Sequence, residues 1–175
     1  PVDTEFAIET SLPSDYTAIV LPVNQNQSFR IAFHALAKNI SVRRILEEAQ
    51  ADSKTIPTGS FIIEGKASAE ELEALFEVPP LYISEKLKAS TESLIMPAVG
   101  IVQTWLHDMD AGWTRFVFDE YSIPFQVIRP GDVASGKLEN FDCLIFPDTH
   151  KDILMSGKYK SQDRYRLSDY APEYT

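Results

Sequence analysis

One cysteine, Cys143, and three histidines in 175 residues leave little room for several kinds of chemistry. A single thiol cannot close an internal disulfide, which excludes a disulfide-built scaffold within these residues. There is no Cys-x-x-Cys, His-x-x-Glu or His-Glu-x-x-His, so zinc-ligand spacing is missing. Gly-x-Ser-x-Gly, Gly-x-Gly-x-x-Gly and the phosphate-loop sequence are missing too. "IPTGS" has one glycine before a strand, the wrong order for cradling phosphate. No apolar run approaches the ~18 residues that span a membrane. Basic side chains are few, 16 against 26 acidic ones, for a net charge of −10. Such a chain repels phosphate backbones, which argues against nucleic-acid binding.

What is present is an alternation of apolar runs and helical periods. "YTAIVLP" (16–22) is rich in β-formers and reads as a buried strand. Ser28 is placed to cap a helix carrying Phe29, Ala32, Phe33 and Leu36. Val42, Ile45, Leu46 and Ala49 repeat that spacing and predict a second short helix. Ser60 to Glu64 reads as a strand, and Ser68 with Glu71 as the capping box of a helix burying Leu72, Leu75 and Phe76. "PAVGIVQ" (97–103), "IPFQVIR" and "FDCLIFPD" (141–148) predict further strands, with a helix from Ala111 to Tyr121 after the first. Strands alternating with helices predict an α/β fold: a mainly parallel sheet with helices on both faces. "KASTES" is the expected junction between two α/β lobes, 1–89 and 90–175. From Lys151 the chain is polar and tyrosine-rich, apart from Ile153 to Met155, and has no closing strand. The expectation is an incomplete sheet, continued beyond Thr175 in a larger parent.

"HDMDAGWTRF" (107–116) is the densest cluster of chemistry. His107, Asp108 and Asp110 lie too close in sequence to hold a metal alone, and no spacing recruits His34 or His150, so no metal site is expected. A structural reading suffices for most of it. Asp110 suits a helix N-cap, where its carboxylate accepts a free backbone N–H. Trp113 and Phe116 then fall, with Val117 and Tyr121, on one face as core anchors. A third reading places ligands beyond the carboxyl ends of parallel strands. It gathers Gln25, His107, Asp108, Asp148 and His150 on one rim as candidate ligand-binding residues. Cys143 sits mid-strand rather than on an elbow, so it reads as buried core and not as a nucleophile. No catalytic residue is expected.

"GIVQTWLHDMDAGWTRFVFDEYSIPFQVI" resembles the C-terminal region of bacterial zinc carboxypeptidases of the carboxypeptidase A type. The likeness continues through "PGDVASGKLENFDCLIFPD", and "YTAIVLPVNQN" and "TIPTGSFII" also fit. Its most specific parts are Met109 to Arg115 and Phe141 to Asp148. The resemblance implies a module with the flavodoxin-like fold of class I glutamine amidotransferases, following a peptidase domain in the same parent chain. It implies zinc in that domain, and a secreted or periplasmic parent. The zinc ligands and general base belong to the peptidase domain, and no residue here matches their motif. This segment itself is expected to hold no cofactor. His107 and Asp108 before Met109 depart from the family pattern, so no role carries over to them.

Three functions follow as expectations. The first is a non-catalytic accessory module of a zinc metallocarboxypeptidase, its partner the peptidase domain. The second is an independent module binding a small sugar or peptide. The third is an amidotransferase-like enzyme whose nucleophile elbow lies outside this segment.

Overall fold

The structure, a computed structural model, describes residues 13, 15–104, 109–136, 138–149 and 151. The chain divides into two compact units after Ile95. The first contains β1 (Ala18–Leu21), α1 (Asn26–Ala37), β2 (Arg43–Ile45), β3 (Ala49–Ala51), β4 (Lys54–Ile56), β5 (Phe61–Glu64), α2 (Lys66–Leu72), β6 (Leu81–Ile83) and β7 (Thr91–Ser93). The second contains β8 (Val99–Val102), α3 (Met109–Glu120), β9 (Phe125–Ile128), α4 (Pro130–Ala134) and β10 (Cys143–Ile145).

The expectation of a mainly parallel, flavodoxin-like sheet is wrong. Five strands of the first unit pair in the order β6-β1-β5-β2-β7, every pair antiparallel. The reason lies in residues 42–51. A parallel neighbour needs a crossover of about a dozen residues, usually a helix. The helix expected over Val42 to Ala49 would have supplied one, but the segment forms β2 and β3 instead. Val42 packs among the residues under α1, while Ile45 and Ala49 pack on the opposite face. Leu46 is exposed. Their helical spacing was coincidental: residues meant for one helix face are divided between two sides of a sheet.

Strand alternation then sorts the core. Ile19, Leu21, Phe61 and Ile63 face α1 and α2. Val20, Ile62 and Ile83 face the other way, onto Ala49, Ala51 and Ile56 of a β3–β4 hairpin. That hairpin turns through Asp52 and Ser53, with φ of 48° and 62°. Two positive φ values suit the tight turn of a two-residue hairpin, and aspartate tolerates them better than most residues. The Asp52 carboxylate accepts hydrogen bonds from the backbone N–H of Ser84 (2.6 Å) and Glu85 (3.2 Å), fastening the turn to the chain after β6.

Both expected serine caps are displaced. α1 starts at Asn26 with Gln25 at its cap, and Ser28 is buried inside its first turn. α2 starts at Lys66 after Gly65, whose φ of 92° turns the chain from β5 into the helix.

Parallel pairing is confined, among the described residues, to the second unit, in a three-stranded sheet of order β10-β8-β9. Gly100 sits at its centre. A Cβ there would lie 2.2 Å from Cδ1 of Ile128 and 2.8 Å from Cδ2 of Leu144, so only glycine leaves room for both. The buried apolar residues include Val99, Ile101, Val102, Ala111 and Ile128.

Three structural assignments need correcting in this unit. Asp110 lies within the first turn of α3, not at a cap. Trp113 and Phe116 are exposed rather than core. Cys143 is exposed at the start of β10, a strand at the sheet edge, rather than buried mid-strand. For α3 the physical cause is visible on the helix itself. Ala111 is buried and Phe118 is half-buried, with its ring 6.0 Å from that of Phe125. Their spacing of seven residues puts them on one side. The stripe of larger apolar residues lies on the other, and periodicity alone does not say which side meets the sheet.

Candidate functional site

Of the rim expected from the sequence, Gln25 and Asp148 are the two members among the described residues. His107, Asp108 and His150 lie outside them. Gln25 belongs to the first unit and the exposed Asp148 to the second. Gln25 is also engaged locally, its Oε1 accepting a hydrogen bond from Nε2 of Gln27 at 2.8 Å.

At the carboxyl ends of β8 and β9 two arginines are tied into the scaffold. Arg129 Nη1 donates to the backbone oxygens of Gln103 (3.2 Å) and Thr104 (2.9 Å). Arg115 Nη1 donates to Oε1 of Gln103 at 3.2 Å. They join α3 and the ends of two strands, and Arg129 satisfies backbone carbonyls just past β8. Arg129 carries no motif, and Arg115 enters the sequence reading only as the last residue of the resemblance at Met109 to Arg115.

No group of three or more His, Cys, Asp or Glu side chains among the described residues could hold a metal ion. The phenols of Tyr16 and Tyr82 are both pushed above the ordinary tyrosine value. Burial is the main cause for each. The charges of Glu70 and Glu73 add to it for Tyr16, and Tyr16 and Glu73 for Tyr82. Their rings meet edge-to-face with centroids 5.1 Å apart, a packing role.

The surface that does stand out is on α3. Met109, Trp113, Phe116 and Val117 follow one another at i, i+4, i+7 and i+8, a single stripe at about 100° per residue. They are 75%, 62%, 54% and 45% exposed. The rings of Trp113 and Phe116 pack edge-to-face at 5.9 Å, which pre-orders the centre of the stripe. Asp110 and Glu120, both exposed, give it an acidic border. An isolated exposed leucine means little, but contiguous aromatics with a polar rim mark contact sites. Tryptophan is also among the residues that dominate binding energy at interfaces. The helical spacing of Trp113, Phe116 and Val117 is plain in the sequence, but spacing alone does not say which way the helix faces.

Compared with protein-family models, with curated proteins and with solved structures, the chain shows no significant match.

Proposed function

We propose that this chain is a non-catalytic accessory module that docks on another folded domain through the apolar stripe of α3. The observation that carries the reading is the exposure of Trp113 and Phe116, locked ring against ring on one helix face. Burying two such rings supplies several kcal/mol of gross association energy, on the order of 1.5–3 kcal/mol each. The acidic border suits a partner surface with basic residues around an apolar centre. The resemblance at Met109 to Arg115 is what supports the choice of partner, the peptidase domain of a zinc carboxypeptidase in the same parent chain. Hydrolysis would belong to that domain, and the role of this one is to cover or position it.

The first test is to read the coding sequence on both sides of these codons. An upstream His-x-x-Glu followed by a later histidine supports the proposal. A start codon just before Pro1 with a stop just after Thr175 removes the partner and overturns it. The second test mixes the purified peptidase domain with the chain and with its Trp113→Ser/Phe116→Ser variant. Binding by the first and not the second is expected. Equal binding by both would place the contact elsewhere, and zinc-dependent hydrolysis by the pure chain would overturn the non-catalytic reading.

A further inference from the structure

We infer that the first unit carries a second site, independent of the α3 stripe, which binds a small monocarboxylate with an apolar body. The site is a cleft of about 260 Å³ between α1 and the β2–β7 side of the sheet. From α1 it is lined by Phe29, Phe33 and Leu36, and from the sheet side by Phe61 and Leu94. Phe29 and Phe61 meet edge-to-face at 5.3 Å, fixing its inner wall. Binding pockets are commonly apolar with a small number of placed polar groups. Here the charged member of the lining is one guanidinium.

That group is Arg44. Residues 42 and 44 share the helix-facing side of β2, so the side chain rises on the same face as Val42 and Phe61. Its Nη2 lies 3.7 Å from where a Cβ on Gly59 would be, which places the guanidinium over a residue without a side chain. Gly59 has φ +89°, a conformation that disfavours any replacement. The glycine therefore keeps the mouth open beside the cation. Arg44 makes no side-chain hydrogen bond or ion pair with any described residue, in contrast to Arg43, which points to the other face and pairs with Glu64 at 3.7 Å. The acid nearest in register is Glu92, opposite Arg44 on β7, yet the two form no ion pair within 4.0 Å.

One guanidinium, unpaired among the described residues, beside an apolar cleft selects the ligand. Its planar fork matches a carboxylate, two N–H groups to two oxygens. A single positive charge balances a single negative one. A phosphate dianion would call for more donors than this lining provides. A sugar would bring hydroxyls that the phenylalanines and leucines leave without partners. The volume takes a group the size of a phenyl ring with a short linker.

The test uses the full chain and phenylpropanoate, followed through the amide NMR shifts of Gly59, Phe61 and Leu94. The spectra also show that each variant is folded. Saturable shifts at these residues are expected, with weak affinity as befits so small a ligand. Phenylpropanol should bind about tenfold more weakly than phenylpropanoate, and Arg44→Gln should erase that difference. Arg43→Gln should leave it intact. Glu92→Gln should strengthen carboxylate binding about threefold by removing a competing charge. No shifts at the cleft, equal binding of alcohol and acid, or tighter binding of the matching phosphate monoester would each overturn the assignment. None of these readouts depends on α3, so the site and the docking proposal succeed or fail separately.

Discussion

The side-chain amide of Gln27 pairs with the backbone of Val78 as a neighbouring strand would. Its Oε1 accepts the Val78 N–H at 3.0 Å and its Nε2 donates to the Val78 carbonyl at 2.8 Å. The same Oε1 takes the N–H of Glu77 at 2.9 Å. One buried side chain in the first turn of α1 thus holds the chain entering the double proline, fifty-one residues away. Arg30 adds a second tie, with Nη2 3.1 Å from the carbonyl of Leu75 and 2.9 Å from Glu77.

Gln27→Ala should therefore destabilise the first unit. Each buried hydrogen bond lost costs roughly 1 kcal/mol, more where a group is left unpaired. Val78 and Glu77 are exposed, so water can satisfy part of what is lost. The expected cost is about 1–3 kcal/mol, seen as a lower urea midpoint with an unchanged slope. An unshifted midpoint would mean that the 76–80 segment does not depend on this clamp.

Gly100→Ala tests the packing of the parallel sheet. The added methyl meets Cδ1 and Cγ1 of Ile128, a buried side chain with little freedom to move aside. Overpacking of this kind costs about 1–3 kcal/mol. A lowered melting temperature is expected, and no change would show that Ile128 and Leu144 repack freely.

Tyr16 and Tyr82 predict an alkaline limit to stability. The fold holds both phenols neutral beyond their ordinary value of 10.0. In the unfolded chain they ionise first, so protons leave the unfolded state preferentially. Their contribution is complete below about pH 10 and is lost as pH rises through the raised folded values. The urea midpoint should fall as pH rises above the ordinary tyrosine value, and a Tyr16→Phe/Tyr82→Phe protein should fall less steeply. Equal slopes would assign alkaline unfolding to other groups.

Cys143 should react in the native protein. It is exposed on β10, a strand paired on one side only among the described residues. A thiol reagent should label one cysteine per chain without denaturant. Protection until denaturant is added would show that this edge is covered in solution.

For function, the two proposals make use of what the core does not. The stripe on α3 and the cleft beside Arg44 both expose aromatic or apolar surface that folding left uncovered. They lie in different units, which lets each be altered alone.

The sequence by itself determined the short apolar runs that become β1, β5, β8, β9 and β10, and the helical stretches of α1, α2 and α3. Local propensity and hydrophobic spacing act over a few residues, and those signals survived folding. It also showed which ligand and nucleophile motifs these residues lack, since motif spacing needs no coordinates. Strand direction was decided by tertiary structure, because the same apolar run can pair either way. Val42 to Ala49 shows how: a helical spacing gave way to sheet pairing on two faces. Tertiary structure also decided which side of α3 is buried, and with it whether Trp113 and Phe116 are core or surface. It alone brought Arg44 and Gly59 beside Phe29, since residues fifteen and thirty positions away share a cleft with it only once the sheet has folded under its helix.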